Sequence, residues 1–485
     1  MQTLTVIGII VEIVILFNFM ILVHELGHYL AARWRGLQID KFQIWFGKPI
    51  WSKTIGGVQW GMGWIPAGGF VALPQMAPME MLEGQSDKAK PMEPIKPIDK
   101  IIVAFAGPLF SFALALFFAF VVWGVKRPIS KSAATTTIGY IAEKAVAGAD
   151  QLQIGDEILE VDGRMVKSWG GMVDSVAWNT ISSGRDTVAI KVKREGVSEP
   201  ITIALAAPDL EITAEGEEKP SFIGKFFKRP ELRRIELMGV MPESQPMVGK
   251  LFKDSPAALA GLQPNDVFIK ANGEKVTSAQ MVGKAVKATP GEPVAFVIRR
   301  DGQEQNVHIL AKMPENAEKA EVEDPMLGIG WDLTGETTLE RTPAFLQIKN
   351  ACLTMYNTLA AVFSPSSSIS AKHLSGPVGI MRVYYLLFED KDGWRRALWF
   401  SVILNINLAI LNMMPLPVLD GGHIVMSLVE SVRKRPISKR FLELSYGGCA
   451  IFLIGFMIFI TGFDFTDIFG GGSNAPVRES PIFKP

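Results

Sequence analysis

Long apolar runs and short alternating stretches divide this chain into zones. Four segments, about 5–32, 101–125, 397–416 and 444–461, are apolar over close to the roughly 20 residues a membrane-crossing helix needs. The stretch 39–73 alternates instead. Phe42, Ile44 and Phe46 recur every second residue, and Val58, Trp60, Met62 and Trp64 do the same before a run rich in glycine. This predicts a glycine-rich β-sheet directly after the first apolar helix. Between the second and third apolar segments, 126–396 is mixed in polarity, with short alternating runs closed by Asp162-Gly163 and Asn272-Gly273, the usual hairpin signal. The pattern predicts a multi-span α-helical membrane protein of four transmembrane helices, with α+β domains in the long connection.

Charge orients the segments. Arg433, Lys434, Arg435, Lys439 and Arg440 crowd the loop between the last two apolar segments, and Arg33 and Arg35 follow the first. Both places are expected to be cytoplasmic, which puts the termini and 126–396 on the far side. No Lys or Arg precedes Arg33 and no small-residue cleavage site follows, so the first segment is expected to be retained. Lys+Arg and Asp+Glu are equal at 49 each, which gives no pull toward nucleic acid. Two cysteines, Cys352 and Cys449, cannot build a disulfide scaffold.

The long connection repeats itself at an offset of 110: Gly139, Ala147, Leu152, Gln153, Asp156 and Gly163 recur as Gly249, Ala257, Leu262, Gln263, Asp266 and Gly273. That period is too long for a solenoid and indicates two tandem domains. The run Ala260 to Gly273 resembles PDZ domains, and its counterpart ending at Gly163 is a looser copy. In the circularly permuted bacterial form the peptide-binding strand comes last. Met238, Gly239 and Val240, and Leu327, Gly328 and Ile329, are then the candidates to receive a peptide terminus on backbone N–H groups. The alternative is that they are ordinary edge strands. The charged stretches 211–236 and 314–325 are expected as an insertion and a linker. Gly470 to Ala475 is linker-like, and 470–485 is given no role.

The chemistry concentrates in His24-Glu25-Leu26-Gly27-His28, inside the first apolar run. Positions i and i+4 of a helix share a face, so both imidazoles can reach one metal ion, with Glu25 beside them to accept a proton from water. An ionisable group at bilayer depth costs about 2.5–3.5 kcal/mol even on lenient scales, which argues against Glu25 as an idle interfacial residue. Two histidines under-coordinate zinc, so a third ligand is needed. The segment 412–423 contains Pro415 and Pro417, which break the third helix, and both Asp420 and His423 are open as that ligand on spacing alone.

HExxH in the first segment, together with Asn-x-x-Pro-x-Pro-x-Leu-Asp-Gly at 412–421, resembles the site-2 protease family of intramembrane zinc metalloproteases. Four spans with tandem far-side PDZ domains resemble its regulator-of-sigma-E protease (RseP) branch of Gram-negative inner membranes. The resemblance implies one zinc ion per chain on His24, His28 and Asp420, Glu25 as general base, and His423 as a neighbouring or cytoplasmic-face residue. It implies substrate handling by Asn407 and Asn412, for which helix-packing glue is the plainer role. It also implies a membrane-re-entrant sheet whose edge, through Ile65, Gly68, Gly69, Phe70 and Val71, pairs with an unwound substrate. Implied substrates are single-span membrane proteins already cut on the far side, such as an anti-sigma factor after site-1 cleavage, and remnant signal peptides. The lipid bilayer is the other partner, and nucleic acid is none. The active site would face the cytoplasmic side, with both termini and the PDZ domains periplasmic.

The expected layout runs from helix 1–35 through sheet and loop 36–100 to helix 101–126, then PDZ domains 127–241 and 242–335. A linker with an interfacial helix follows at 336–396, then helix 397–432, basic loop 433–443, helix 444–465 and tail 466–485. Segment 376–396 is expected to couple the domains to a gate. A membrane-anchored tandem-PDZ scaffold with a vestigial zinc site is the rival, and Glu25 speaks against it, because a structural site needs no acid–base residue. A transporter is disfavoured by the lack of inverted repeats.

Overall fold

The structure, a computed structural model, describes residues 2–76, 95–207, 232, 234–320, 322–332, 334–364, 367–390, 392–435, 437–469 and 480–484. The expected insertion lies outside the described residues over 211–231, as does the linker-like 470–475. The chain forms two compact units. One comprises Met1–Arg127, Arg341–Met355 and Ser375–Asp464; the other comprises Pro128–Glu340, Tyr356–Leu374 and Phe465–Pro485.

The first unit is helical. Its elements are α1 (Gln2–Trp34), the strands β1 (Lys41–Ile55) and β2 (Val58–Ala72), and α2 (Pro97–Val125). They are followed by α3 (Ala344–Phe363), which the division between units crosses, α4 (Pro377–Phe388), α5 (Gly393–Asn412), α6 (Asp420–Arg433) and α7 (Lys439–Phe469). Among the described residues, three helices are long and apolar enough to cross a membrane: Val6–Trp34, Pro97–Val125 and Arg440–Ile468. The expected third span does not join them. Helix α5 carries Arg395, Arg396, Asn405, Asn407 and Asn412, and it buries Ser401 and Asn405 along with Ala397, Val402 and Ile406. Its polarity is turned into the protein, so composition alone does not mark it as a span.

Within the segment 397–432, where the prolines are expected to break the helix, there are two helices. Helix α5 ends at Asn412, and a tight turn through Met414 and Leu416 leads to α6, which begins at Asp420. Pro415 and Pro417 lack the N–H that a continuing helix would donate, which is the physical cause of the break. At the start of α2, Pro97 occupies the first turn, where its missing donor costs nothing.

The sheet is more folded than a plain hairpin. Residues 41–44 of β1 pair with both 69–72 and 59–62 of β2, and 51–55 pair with 58–62. Gly68 permits the sharp return: its φ is +70°, and a Cβ there would lie 2.0 Å from the Phe46 ring. Trp45, in turn, donates its indole N–H to the Asn18 carboxamide oxygen, fixing the sheet to α1.

The second unit holds the repeats. The first contains β3 (Ile138–Ile141), β4 (Glu157–Val161), β5 (Arg164–Met165), β6 (Thr187–Lys193), β7 (Ile201–Ala206) and β8 (Val240–Pro242). The second contains β9 (Val248–Leu251), β10 (Val267–Ala271), β11 (Glu274–Lys275), β12 (Val294–Arg300), β13 (Gln303–Ile309) and β14 (Ile329–Trp331). The sheets run β5-β4-β6-β7 and β11-β10-β12-β13, and in each repeat the last strand pairs with the first, β8 with β3 and β14 with β9. Both hairpin turns use two positive φ angles, at Asp162 and Gly163 and at Asn272 and Gly273, as their sequences require. Each repeat closes over its own apolar core.

Candidate active site

Helix α1 sets His24 and His28 on one face, with their Nε2 atoms 3.3 Å apart. The first residue of α6, Asp420, reaches both: its Oδ2 lies 3.4 Å from His24 Nε2 and its Oδ1 3.4 Å from His28 Nε2. A tetrahedral zinc ion with bonds of about 2.0–2.1 Å requires donor-to-donor edges of about 3.3–3.4 Å. The two imidazole nitrogens have that spacing and each Asp420 oxygen has it to one of them, with one ligand atom from each residue within 4.8 Å of the others, so two imidazoles and a carboxylate could hold zinc and leave a fourth position for a ligand.

Helix α2 orients the donors. Val103, Gly107 and Ser111 are spaced by four and share a face. The Val103 carbonyl accepts from His28 Nδ1–H at 2.8 Å, so the unprotonated nitrogen of His28 is Nε2, which points into the triangle. Ser111 Oγ lies 2.9 Å from His24 Nδ1 and holds the second ring in place. Gly107 between them leaves the space that the rings occupy, since a Cβ there would sit 2.2 Å from His28 Nε2 and 2.8 Å from His24 Nε2. Gly27 allows this approach of the helices: a Cβ on it would lie 2.5 Å from the Ala106 carbonyl oxygen. None of Val103, Gly107 or Ser111 stands out in the sequence, where each is an ordinary small or apolar residue of a hydrophobic run.

Glu25 is half-buried beside the triangle. Gly69 of β2 faces it, and a Cβ on Gly69 would come 3.2 Å from Glu25 Cγ, so the strand passes the carboxylate with backbone alone. From the end of α5, the Asn412 carboxamide nitrogen lies 3.3 Å from His24 Nε2. His24, Glu25, His28, Gly69, Asn412 and Asp420 are therefore brought together.

Other sequence candidates are placed elsewhere. The His423 ring meets Tyr446 Oη at 3.2 Å and does not enter the triangle. Asn407 has a buried carboxamide oxygen with no hydrogen-bond partner. The side chains of Phe70 and Val71 are buried, Phe70 stacked on Phe46, which leaves their backbone to a ligand, whereas Ile65 pairs with Phe46 in the ladder and keeps an exposed side chain. In the repeats, Met238, Val240 and Leu327 are core residues, while Gly239 and Gly328 adopt φ of +85° and +73°. Gly239 O accepts from Ala142 N–H at 2.8 Å and Gly328 O from Phe252 N–H at 3.1 Å, which marks the two turns as equivalent.

The model of peptidase family M50 matches residues 12–456, and the chain belongs to that family. A Salmonella typhimurium protein named Regulator of sigma-E protease RseP is 26% identical over 472 residues, covering 91% of this chain and 94% of the relative. Its Escherichia coli namesake is 25% identical over 463 residues, covering 91% and 94%. A Pasteurella multocida relative bearing a zinc-metalloprotease name is 28% identical over 467 residues, covering 92% and 96%. The protein is a zinc metalloprotease of the site-2 type.

Proposed function

We propose that this protease hydrolyses peptide bonds within transmembrane segments of membrane proteins whose far-side domain has already been removed. The observation that carries the reading is the His24, His28 and Asp420 triangle at 3.3–3.4 Å edges, with Glu25 and the Gly69 backbone beside it. In this reading those three residues hold one zinc ion per chain. When bound, it polarises the scissile carbonyl and makes water acidic enough to ionise near neutral pH. Glu25 takes the proton of the attacking water and returns it to the leaving amine. Asn412, beside His24, orients the substrate carbonyl through its amide N–H.

A transmembrane helix hides its peptide bonds and must unwind to be cut. The 69–72 edge of β2 suits the unwound strand, since among the described residues its ladder partners lie only on the 41–44 side. Main-chain pairing binds many sequences alike, which fits the inward burial of Phe70 and Val71.

Helix α5 serves as the fourth span in this reading. The cationic loop around Arg433 and the Arg33–Arg35 segment lie in the cytoplasm, the termini and repeats in the periplasm, and the enzyme in a bacterial inner membrane. The pairing of last strand with first in each repeat supports circularly permuted PDZ domains. They screen bulky far-side domains or bind new termini. The names of the Salmonella and Escherichia relatives support an anti-sigma factor as substrate, with remnant signal peptides as a second class.

The test compares wild type, Glu25→Gln and Asp420→Ala in detergent, measuring zinc content and cleavage of a single-span substrate with a short far-side end. About one zinc per wild-type chain is expected, retained by Glu25→Gln, lost by Asp420→Ala, with cleavage absent in both variants. Zinc bound without cleavage by the wild type would favour the scaffold instead.

A further inference from the structure

Residues 480–484 lie against the second repeat, in the same compact unit. Asn316 grips them from both sides of Pro481: its Nδ2 donates to the Ser480 carbonyl at 3.1 Å, and its Oδ1 accepts from Ile482 N–H at 2.8 Å. Glu315 adds two contacts, from its backbone N–H to the Ile482 carbonyl at 2.9 Å and from its carboxylate to Lys484 Nζ at 2.6 Å. Pro481 has no N–H to leave unsatisfied, so the carbonyl of 480 and both polar groups of 482 are paired.

Phe483 is the anchor. It is only 5% exposed although its segment has no helix or strand around it. Its ring seats on Gly328, where a Cβ would come 2.9 Å from the ring and 2.3 Å from Ser255 Cβ. Ser255 and the Phe483 ring thus both pack on the left-handed Gly328 turn. The corresponding turn of the first repeat, at Gly239, is faced by Ala145, which stands where Ser255 stands in the second, and by Ala142.

We infer that Glu315, Asn316 and Gly328 form a binding site for an extended peptide of aliphatic, aromatic and basic residues in succession, and that the chain's own segment 480–484 is its resident ligand. Backbone bonds hold the peptide extended, the aromatic ring supplies apolar contact, and Glu315 selects the basic residue that follows. Tethering makes occupancy intramolecular, so an incoming peptide of this chemistry competes with a ligand at high effective concentration. The second repeat is therefore self-occupied, and peptides reach its Gly328 turn only by displacing the segment. The site rests on these contacts and not on the proteolytic reading.

The experiment uses the full chain in detergent and a version ending at 475, both carrying Glu25→Gln so that no peptide is cut. The probe is a fluorescent synthetic peptide of residues 476–485, read by anisotropy. The shortened chain is expected to bind the probe at least tenfold more tightly than the full chain. Phe483→Ala in the full chain should restore binding, and the same change in the probe should abolish it. Asn316→Ala in the shortened chain should weaken binding at least tenfold while leaving its melting transition in place. Equal binding by full and shortened chains, or none by the shortened chain, would overturn the inference. Neither result touches the cleavage test above, so the two readings fail separately.

Discussion

The paired aspartates of the repeats and Asp420 of the helical unit are held in different ways. In the repeats, Asp156 receives Arg194 Nε and Nη2 at 2.8 Å each and the Gln153 N–H at 2.8 Å. Asp266 receives Arg300 at 2.7 and 2.6 Å and the Gln263 N–H at 2.8 Å. Every lone pair that matters is taken and no space remains between the partners. Asp420 in the helical unit faces two imidazole nitrogens at 3.4 Å, longer than a good hydrogen bond, and the three groups surround a centre instead of touching across it. A saturated carboxylate serves the fold, whereas an unsaturated convergent one serves a ligand. The contrast can be tested by disturbing each arrangement in turn.

The largest effect is expected at Gly107. A methyl group there would overlap both Nε2 atoms, so Gly107→Ala should bring zinc content and cleavage to background while helix content by circular dichroism stays unchanged. Retention of stoichiometric zinc would mean that the rings can move aside, and that α2 does not shape the centre.

Next come the arginine clamps. Arg300→Ala strips a buried carboxylate of its countercharge, so the second repeat should lose stability. Arg194→Ala should cost the first repeat the same. Hydrogen exchange read peptide by peptide separates the two domains. A loss confined to one repeat would break their equivalence, and zinc content should respond to neither change.

Ser111→Ala follows, because it removes the partner of His24 Nδ1 but keeps the shape of the helix face. Metal affinity should fall by about 10–100-fold, as is usual when an orienting partner is lost. Competition with a chelator measures this, and an unchanged affinity would reduce Ser111 to packing.

What could be read from the sequence follows the same division. His24, Glu25 and His28 were legible because helical spacing is local, and the turns at Gly163 and Gly273 because their residues dictate the backbone. Asp420 and His423 could not be separated by spacing, since the choice depends on where the broken α5–α6 connection points. Gly107 and Ser111 were invisible, as their role exists only where two helices touch. The tandem repeat was plain at an offset of 110, yet the clamps were missed because Arg194 and Arg300 are 106 apart. The prolines announced a break but not that α5 stops at Asn412. Nothing marked 480–484 as a docked segment, because docking depends on a glycine 155 residues away from Phe483 in sequence.

The smallest expected effect concerns a carboxylate of intermediate character, Glu336. It accepts from Arg299 at 2.6 Å and Lys131 at 3.2 Å, near the start of the repeat unit and its end. Partial burial works to raise its pKa, but these two bonded cations outweigh it and hold the carboxyl below its ordinary value. A lowered folded value means that the charged form stabilises the fold. That contribution is complete above the unfolded pKa of about 4.3 and disappears as pH falls through the lower folded one. The repeat unit should therefore lose stability on acidification below about pH 5, and Glu336→Gln should flatten part of that slope while changing little at pH 7. Both cations are partly exposed, so salt should shrink the difference between the variants. Melting temperature against pH at two salt concentrations checks this. An identical slope in the variant would show that Glu336 is merely a surface partner.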